Sequence, residues 1–126
     1  MSSLKIGICG LGTVGSGVVN IFNAHHGLIE QRCSNDLQLV HIGARRDNSD
    51  CDISDYRVSR DIFEVVRDPE VDVVVELIGG TTVARDLVTQ AIHAGKHVVT
   101  ANKALIAEFG NELTSLAERG QVALRF

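Results

Sequence analysis

Several things are scarce in this chain, and each scarcity removes a class of function. Its three cysteines, Cys9, Cys33 and Cys51, stand far apart with no CxxC pair. That spacing suits neither a zinc site nor a disulfide framework, and an odd count fits a reducing compartment. Basic charge is not in excess: 12 Lys and Arg against 16 Asp and Glu leave a formal charge of −4. Nothing electrostatic therefore points to nucleic acid or an anionic membrane surface as a partner. No stretch approaches the ~20 apolar residues of a membrane span. The opening MSSLKIGICG, with one lysine and glycines breaking its apolar run, is not a secretory signal. Repeats, low-complexity tracts and internal linkers are missing too, and Pro69 is the single proline. What these absences leave is one soluble, cytoplasmic domain without a metal site, and 126 residues suffice to bury a core.

What is present alternates between two periods. Leu4–Cys9 (LKIGIC) reads as a buried strand. From Thr13, the residues Val14, Val18, Ile21 and Phe22 fall on one helical face, and the helix extends past Gly27 towards Arg32. Residues 37–44 (LQLVHIGA) form a second strand. Residues 45–60 are polar and turn-rich, with a short strand near Tyr56–Val58. A short helix over Asp61–Arg67 turns Ile62, Val65 and Val66 inward and ends at Pro69. VDVVVELIGG (71–80) is β-branched almost throughout, as expected of a central parallel strand buried on both faces. Ala84, Leu87, Val88 and Ala91 trace a helix ending near Gly95, HVVT (97–100) a strand, and Leu105 to Ala117 a further helix. QVALRF begins a last strand, so the expectation is that more of the protein follows Phe126. Strands alternating with helices imply right-handed βαβ units, hence a Rossmann-type doubly wound α/β fold: a mainly parallel sheet with helices on both faces.

Gly10-Leu11-Gly12-Thr13-Val14-Gly15 fits G-x-G-x-x-G between a strand and a helix. The first glycine allows the tight turn, the second lets backbone approach a pyrophosphate, and the third lets the helix pack on the sheet. The helix N-terminus adds free N–H groups and the positive end of its dipole. A plain structural turn is the alternative, and the flanking strand and helix favour a dinucleotide. The second strand ends in Ala44-Arg45-Arg46-Asp47, while Asp36 lies ahead of it. Neither aspartate stands where a carboxylate would hold an adenosine 2′-hydroxyl, whereas Arg45 and Arg46 suit a 2′-phosphate. The reading is NADP with NAD possible, against two solvated loop arginines.

Two more strand ends carry candidate chemistry. In ELIGGTT (76–82), Gly79 and Gly80 either admit the nicotinamide half of the cofactor or simply form a turn. In VTANKAL (99–105), Asn102 and Lys103 follow a strand at the start of a helix. A lysine opposes the dipole there, so a role in binding a substrate oxygen or moving its proton competes with simple solvation.

GLGTVGSGVV, VVVELIGGTT and AIHAGKHVVTANKAL together resemble the N-terminal nucleotide-binding region of homoserine dehydrogenases. The resemblance covers nearly the whole chain and is weakest over 46–60. It implies an NAD(P)-dependent oxidoreductase interconverting L-homoserine and L-aspartate 4-semialdehyde, on the way to threonine and methionine. It implies further that Gly10, Gly12, Thr13, Val14 and Gly15 hold the pyrophosphate and that Arg45 sits at the adenosine ribose. Gly79, Gly80, Thr100, Ala101 and Asn102 would line the nicotinamide side, and Lys103 would handle substrate and proton. In that family a following domain supplies the substrate pocket, a cation site and the dimer interface. The 126 residues alone are then expected to bind cofactor without turnover, and the full-length protein to be a homo-oligomer. The rivals are a dehydrogenase of another small amino acid or aldehyde, and a nucleotide-sensing module without chemistry.

Other residues carry blander expectations. Cys9 reads as core, and Cys33 and Cys51 as inert; His25 and His26 diverge on a helix. His41, His93 and His97 read as strand or helix-end residues, Glu76 as a satisfied strand end, and Lys96 as a turn lysine. Residues 84–86 (ARD) read as a solvated helix face.

Overall fold

A computed structural model describes residues 4–32 and 37–126, with the side chains of 25–32 excepted. Cys33, Asp36 and the side chains of His25 and His26 lie outside the described residues. The chain runs β1 (Leu4–Cys9), α1 (Thr13–Arg32), β2 (Leu37–Gly43), β3 (Arg57–Ser59), α2 (Phe63–Arg67), β4 (Val73–Glu76), α3 (Thr82–His93), β5 (His97–Thr100), α4 (Lys103–Gly120) and β6 (Leu124–Arg125). The strands form one six-stranded sheet in the order β3-β2-β1-β4-β5-β6. Every pairing in it is parallel. The doubly wound architecture expected from the sequence is the one observed.

Two apolar layers sandwich the sheet. On one face Ile8, Val19, Leu39 and Ile42 pack under α1, joined by Ile53 and Tyr56 of the loop after β2 and by Val58 of β3. On the other, Val65 and Val66 of α2, Leu87, Val88 and Ala91 of α3 and Leu105, Leu113 and Ala117 of α4 enclose Val74 and Val98. Each fully buried aliphatic side chain contributes about 1.5–3 kcal/mol relative to exposure, so the inward stripes of these short elements dominate over local propensity.

Three boundaries and faces differ from the pattern reading. β4 ends at Glu76, not at Gly80. Leu77 and Ile78 continue the apolar run, but they form the wall of a loop whose glycines take positive φ, 76° at Gly79 and 72° at Gly80. β4 also buries only Val74 and Glu76 completely, leaving Val73 and Val75 half-buried, so it is not sealed on both faces. In α1 Val18 and Phe22 pack against the core as expected, but the buried residues are Gly15, Ser16 and Val19, and Val14 and Ile21 are 59% and 54% exposed. The reason lies in Gly15, at which an added Cβ would collide with the Gly10 carbonyl oxygen. A glycine in the closest contact turns the helix, and hydrophobic spacing does not register it.

Residues 84–86 are not a uniformly solvated face. Ala84 is fully buried, and Arg85 lies 4.1 Å from the centre of the Phe109 ring while pairing bidentately with Glu112. That contact clasps α3 to α4. No helix of the described residues is long and apolar enough to cross a membrane.

Candidate functional site

The order of the strands decides where a crevice opens. From β1 the chain winds outward to β3, then returns through α2 to place β4 against the other edge of β1. The connections leaving β1 and β4 therefore diverge to opposite faces, and a ligand crevice forms between their carboxyl ends. A crevice of about 930 Å³ lies there, lined among others by Gly10, Gly12, Arg45, Arg46, Arg60 and Gly79. Smaller concavities of about 450 and 570 Å³ lie away from these strand ends, against α3 and α4 and against α2 and α3.

The glycine turn is built differently at each of its three glycines. Gly10 has φ of 109°, and a Cβ there would stand 2.8 Å from the Leu77 carbonyl oxygen. Only glycine takes that conformation without strain. Its N–H donates to the Gly43 carbonyl at 2.8 Å, and Leu77 N–H donates to the Cys9 carbonyl at 2.9 Å, so the three strand ends are tied together. Gly15 is buried against Gly10, as described above. Gly12 is exposed, and a Cβ there would meet nothing within 4 Å. The space in front of Gly12 is therefore open crevice, and its lack of a side chain serves nothing inside the protein.

Behind Gly12 stands the start of α1. Ser16 N–H donates to the Gly12 carbonyl at 2.8 Å as the first helical bond, so the preceding turn of N–H groups projects from the helix end. The first turn carries no acidic residue. Thr13 and Val14 are exposed at this end. Open space, free amides and a positive dipole end together fit the phosphates of a dinucleotide.

At one end of the crevice, Arg45 and Arg46 are exposed just beyond β2. Asn48 donates from Nδ2 to the Leu11 carbonyl at 3.0 Å and pins this loop to the glycine turn. Arg60, which the sequence reading did not single out, reaches the same rim. It donates to Asp47 Oδ1 at 2.6 Å and to the Ala44 carbonyl at 3.3 Å. Its signal in the sequence was only its place after the short strand β3.

At the other end, Glu76 holds the nicotinamide-side candidates in place. Its side chain is fully buried, and Oε2 accepts from the N–H groups of Ile78 at 2.9 Å and Gly79 at 3.3 Å. Oε1 accepts from the Thr100 hydroxyl, and Thr100 Oγ1 in turn accepts from Asn102 N–H at 3.0 Å. Asn102 donates from Nδ2 to the Gly80 carbonyl and accepts at Oδ1 from Leu105 N–H at 3.0 Å, capping α4. Thr100 is thus a buried wall residue, while Gly79, Gly80, Ala101 and Lys103 are exposed. Lys103 occupies the first position of α4, beside the Asn102 cap, where the helix dipole disfavours a cation. Gly80, Thr100, Ala101, Asn102 and Lys103 form one cluster at the ends of β4 and β5, adjoining the crevice through Gly79.

Burial explains the inert thiol beneath this site. Cys9 is fully enclosed, donates to the Ile62 carbonyl at 3.6 Å, and is pushed up to about 12 by burial and by the charge of Glu76. It is core, as expected. Lys96, expected as a simple turn lysine, is instead buried, with Nζ donating at 2.7 Å to the carbonyls of both Asp68 and Val71.

The family profile described as "Homoserine dehydrogenase, NAD binding domain" matches residues 10–126. A homoserine dehydrogenase of Pseudomonas aeruginosa is 49% identical over 126 residues, all of this chain and 29% of that protein. One from Bacillus subtilis is 34% identical over 128 residues, covering 100% of this chain and 30% of that one. Among solved structures, homoserine dehydrogenase of S. aureus superposes with a TM-score of 0.89 at 38% identity, over 100% of this chain and 32% of that one. That of Thiobacillus denitrificans gives 0.86 at 41% identity, over 100% of this chain and 30% of that one. The chain thus spans under a third of the length of these relatives.

Proposed function

The chain belongs to the homoserine dehydrogenase NAD-binding domain family, and from that premise we propose that it is the cofactor-binding part of an NAD(P)-dependent oxidoreductase. The reaction is the interconversion of L-homoserine and L-aspartate 4-semialdehyde, in threonine and methionine synthesis. The observation that carries this reading is the contrast within the glycine turn. Gly10 and Gly15 are glycine because the fold leaves no room, whereas Gly12 faces open crevice at a helix N-terminus. A dinucleotide explains the second glycine, and packing explains the other two.

The bound nicotinamide supplies the hydride acceptor or donor at its C4. The chain's own part is to bind and orient it. The amides after Gly12 take the pyrophosphate, and Gly79 and Gly80 allow close approach at the nicotinamide end. Arg45 and Arg46, with Arg60 beside them, favour NADP through a 2′-phosphate, and NAD is accommodated less well. Lys103, exposed at the helix start, binds the substrate oxygen and moves its proton. The substrate-side residues and a homo-oligomer interface come from the part of the relatives' length that this chain does not span. The 126 residues alone then bind cofactor without turnover, and the protein works in the cytoplasm on a small-molecule substrate.

Homoserine-dependent NADP reduction by the full-length protein tests the assignment. Lys103→Ala is expected to lower kcat by about 10²–10⁴, the range for a positioned proton-transfer group. Unchanged turnover would remove Lys103 from the mechanism, and inactivity of the unmodified protein on homoserine would remove the substrate.

A further inference from the structure

Away from the crevice, His41 lies wholly buried on β2 among polar groups from three other segments. Its Nδ1 is 2.7 Å from Asp68 Oδ2, just after α2, and its Nε2 is 2.7 Å from Ser59 Oγ on β3. Ser59 also lies 2.9 Å from Glu64 Oε2 on α2. A histidine between an aspartate and a serine has the members of an acyl-transfer triad, but the count of protons shows something else.

Hydrogen-bond parity settles which atoms donate. Glu64 is a solvent-facing carboxylate that only accepts, so the single hydroxyl proton of Ser59 goes to it. Ser59 Oγ must then accept from His41, which places a proton on Nε2. Burial opposes ionisation of Asp68, but the Glu70 N–H, the hydrogen bond and charge of His41, and the Arg57 guanidinium outweigh it and hold its carboxyl below the usual range. Asp68 is therefore also acceptor-only, which places a second proton on Nδ1. Both ring nitrogens donate, and a ring with two N–H groups carries a positive charge.

The remaining groups around the ring allow this. Arg57, the β3 partner of His41 in register, is 64% exposed and 3.6 Å from Asp68 Oδ2. Lys96, ahead of β5, turns its Nζ to the Asp68 carbonyl. From β1 the register partner is Gly7, which brings no side chain, and α2 packs Val65 nearby. The carboxylates of Asp68 and, through Ser59, Glu64 are thus the groups bonded to the ring.

We propose that His41 is a buried imidazolium that positions the end of β3, joining it through Ser59 to β2 and to the Asp68 turn. The next residue after Ser59 is Arg60, so the same peg sets where that guanidinium meets the crevice rim. Ser59 cannot act as a nucleophile in this arrangement, because His41 has no free nitrogen to take its proton.

Nitrogen-15 NMR of the histidine-labelled chain at pH 7.0 tests this directly and does not depend on cofactor binding. Both His41 ring nitrogens are expected to show the shifts of protonated nitrogens. In Glu64→Ala no side-chain acceptor is left for Ser59 on α2, freeing the Ser59 proton for Nε2. The Nε2 signal should then move towards that of an unprotonated ring nitrogen, with the Ser59 and Arg60 amide signals moving alongside it. A bare ring nitrogen in the unmodified chain would overturn the proposal, as would a Glu64→Ala ring indistinguishable from it.

Discussion

Thr100 donates its hydroxyl proton to Glu76, and the two residues stand opposite each other in register at the carboxyl ends of β5 and β4. The other oxygen of Glu76 collects the N–H groups of Ile78 and Gly79. One buried carboxylate therefore fixes two strand ends and the loop between β4 and α3. Glu76→Ala would strand a hydroxyl and two amides, and a buried polar group without a partner costs about 1–3 kcal/mol. Denaturant unfolding is expected to show a loss of about 2–4 kcal/mol for Glu76→Ala and distinctly less for Glu76→Gln, which still accepts at one oxygen. Equal losses would show that the carboxylate's bonds do not carry this corner.

The glycine turn separates folding from binding. Gly10→Ala meets the Leu77 carbonyl at a positive φ, and Gly15→Ala meets the Gly10 carbonyl, so both should lower Tm markedly. Gly12→Ala finds open space and should leave Tm nearly unchanged while weakening dinucleotide binding. Thermal melts beside cofactor titrations check the pairing. A Gly12→Ala variant that binds as tightly as the parent would move the phosphates elsewhere.

Asp68 makes acid stability specific. Its folded carboxyl lies below the usual range, so its contribution is fully present above the ordinary value of 3.8 and is lost as pH falls through the lower folded value. Asp68→Asn removes that term. Its stability below pH 4 should therefore fall less steeply than the parent's, while at pH 7 it is the less stable protein. Urea unfolding across pH 2–7 reads both limbs.

The Cys9 thiol should be silent in the native state. With burial and the Glu76 charge raising it to about 12, almost no thiolate exists at neutral pH, and its side chain is wholly enclosed. A thiol reagent at pH 8 is expected to modify Cys9 only at the rate of global unfolding. Rapid native-state labelling at Cys9 would contradict its place in the core.

Which parts of this were legible in the sequence follows from how far apart the interacting residues lie. The strand–helix alternation and the G-x-G-x-x-G turn are local patterns, and they gave the parallel sheet, the crevice end and Asn102 with Lys103 at the start of α4. The end of β4 was not legible, because Leu77 and Ile78 look like strand while Glu76 takes the N–H groups of Ile78 and Gly79 and turns the chain there into a loop. Of the inward face of α1 only Val18 and Phe22 were legible, since the residue in closest contact with the sheet is Gly15. Glu76, Lys96 and His41 read as ordinary polar residues because their partners stand 24, 28 and 27 positions away. Such pairings come into view only once the strands are ordered. Arg60 was missed for the same reason: the parallel pairing of β3 with β2 carries it to the rim beside Asp47.

On the proposed function, the crevice between β1 and β4 holds a nicotinamide dinucleotide with its adenosine end at Arg45. Calorimetric titration of the chain and of Arg45→Ala with NADPH and with NADH tests it most directly. A charge-assisted contact to a 2′-phosphate is worth about 1.5–3 kcal/mol, or about ten- to a hundredfold in Kd. The expected result is saturable NADPH binding that weakens by that factor in Arg45→Ala, with NADH changed by less than about twofold. An unmodified chain that binds neither nucleotide, or an Arg45→Ala variant that loses both equally, would contradict it.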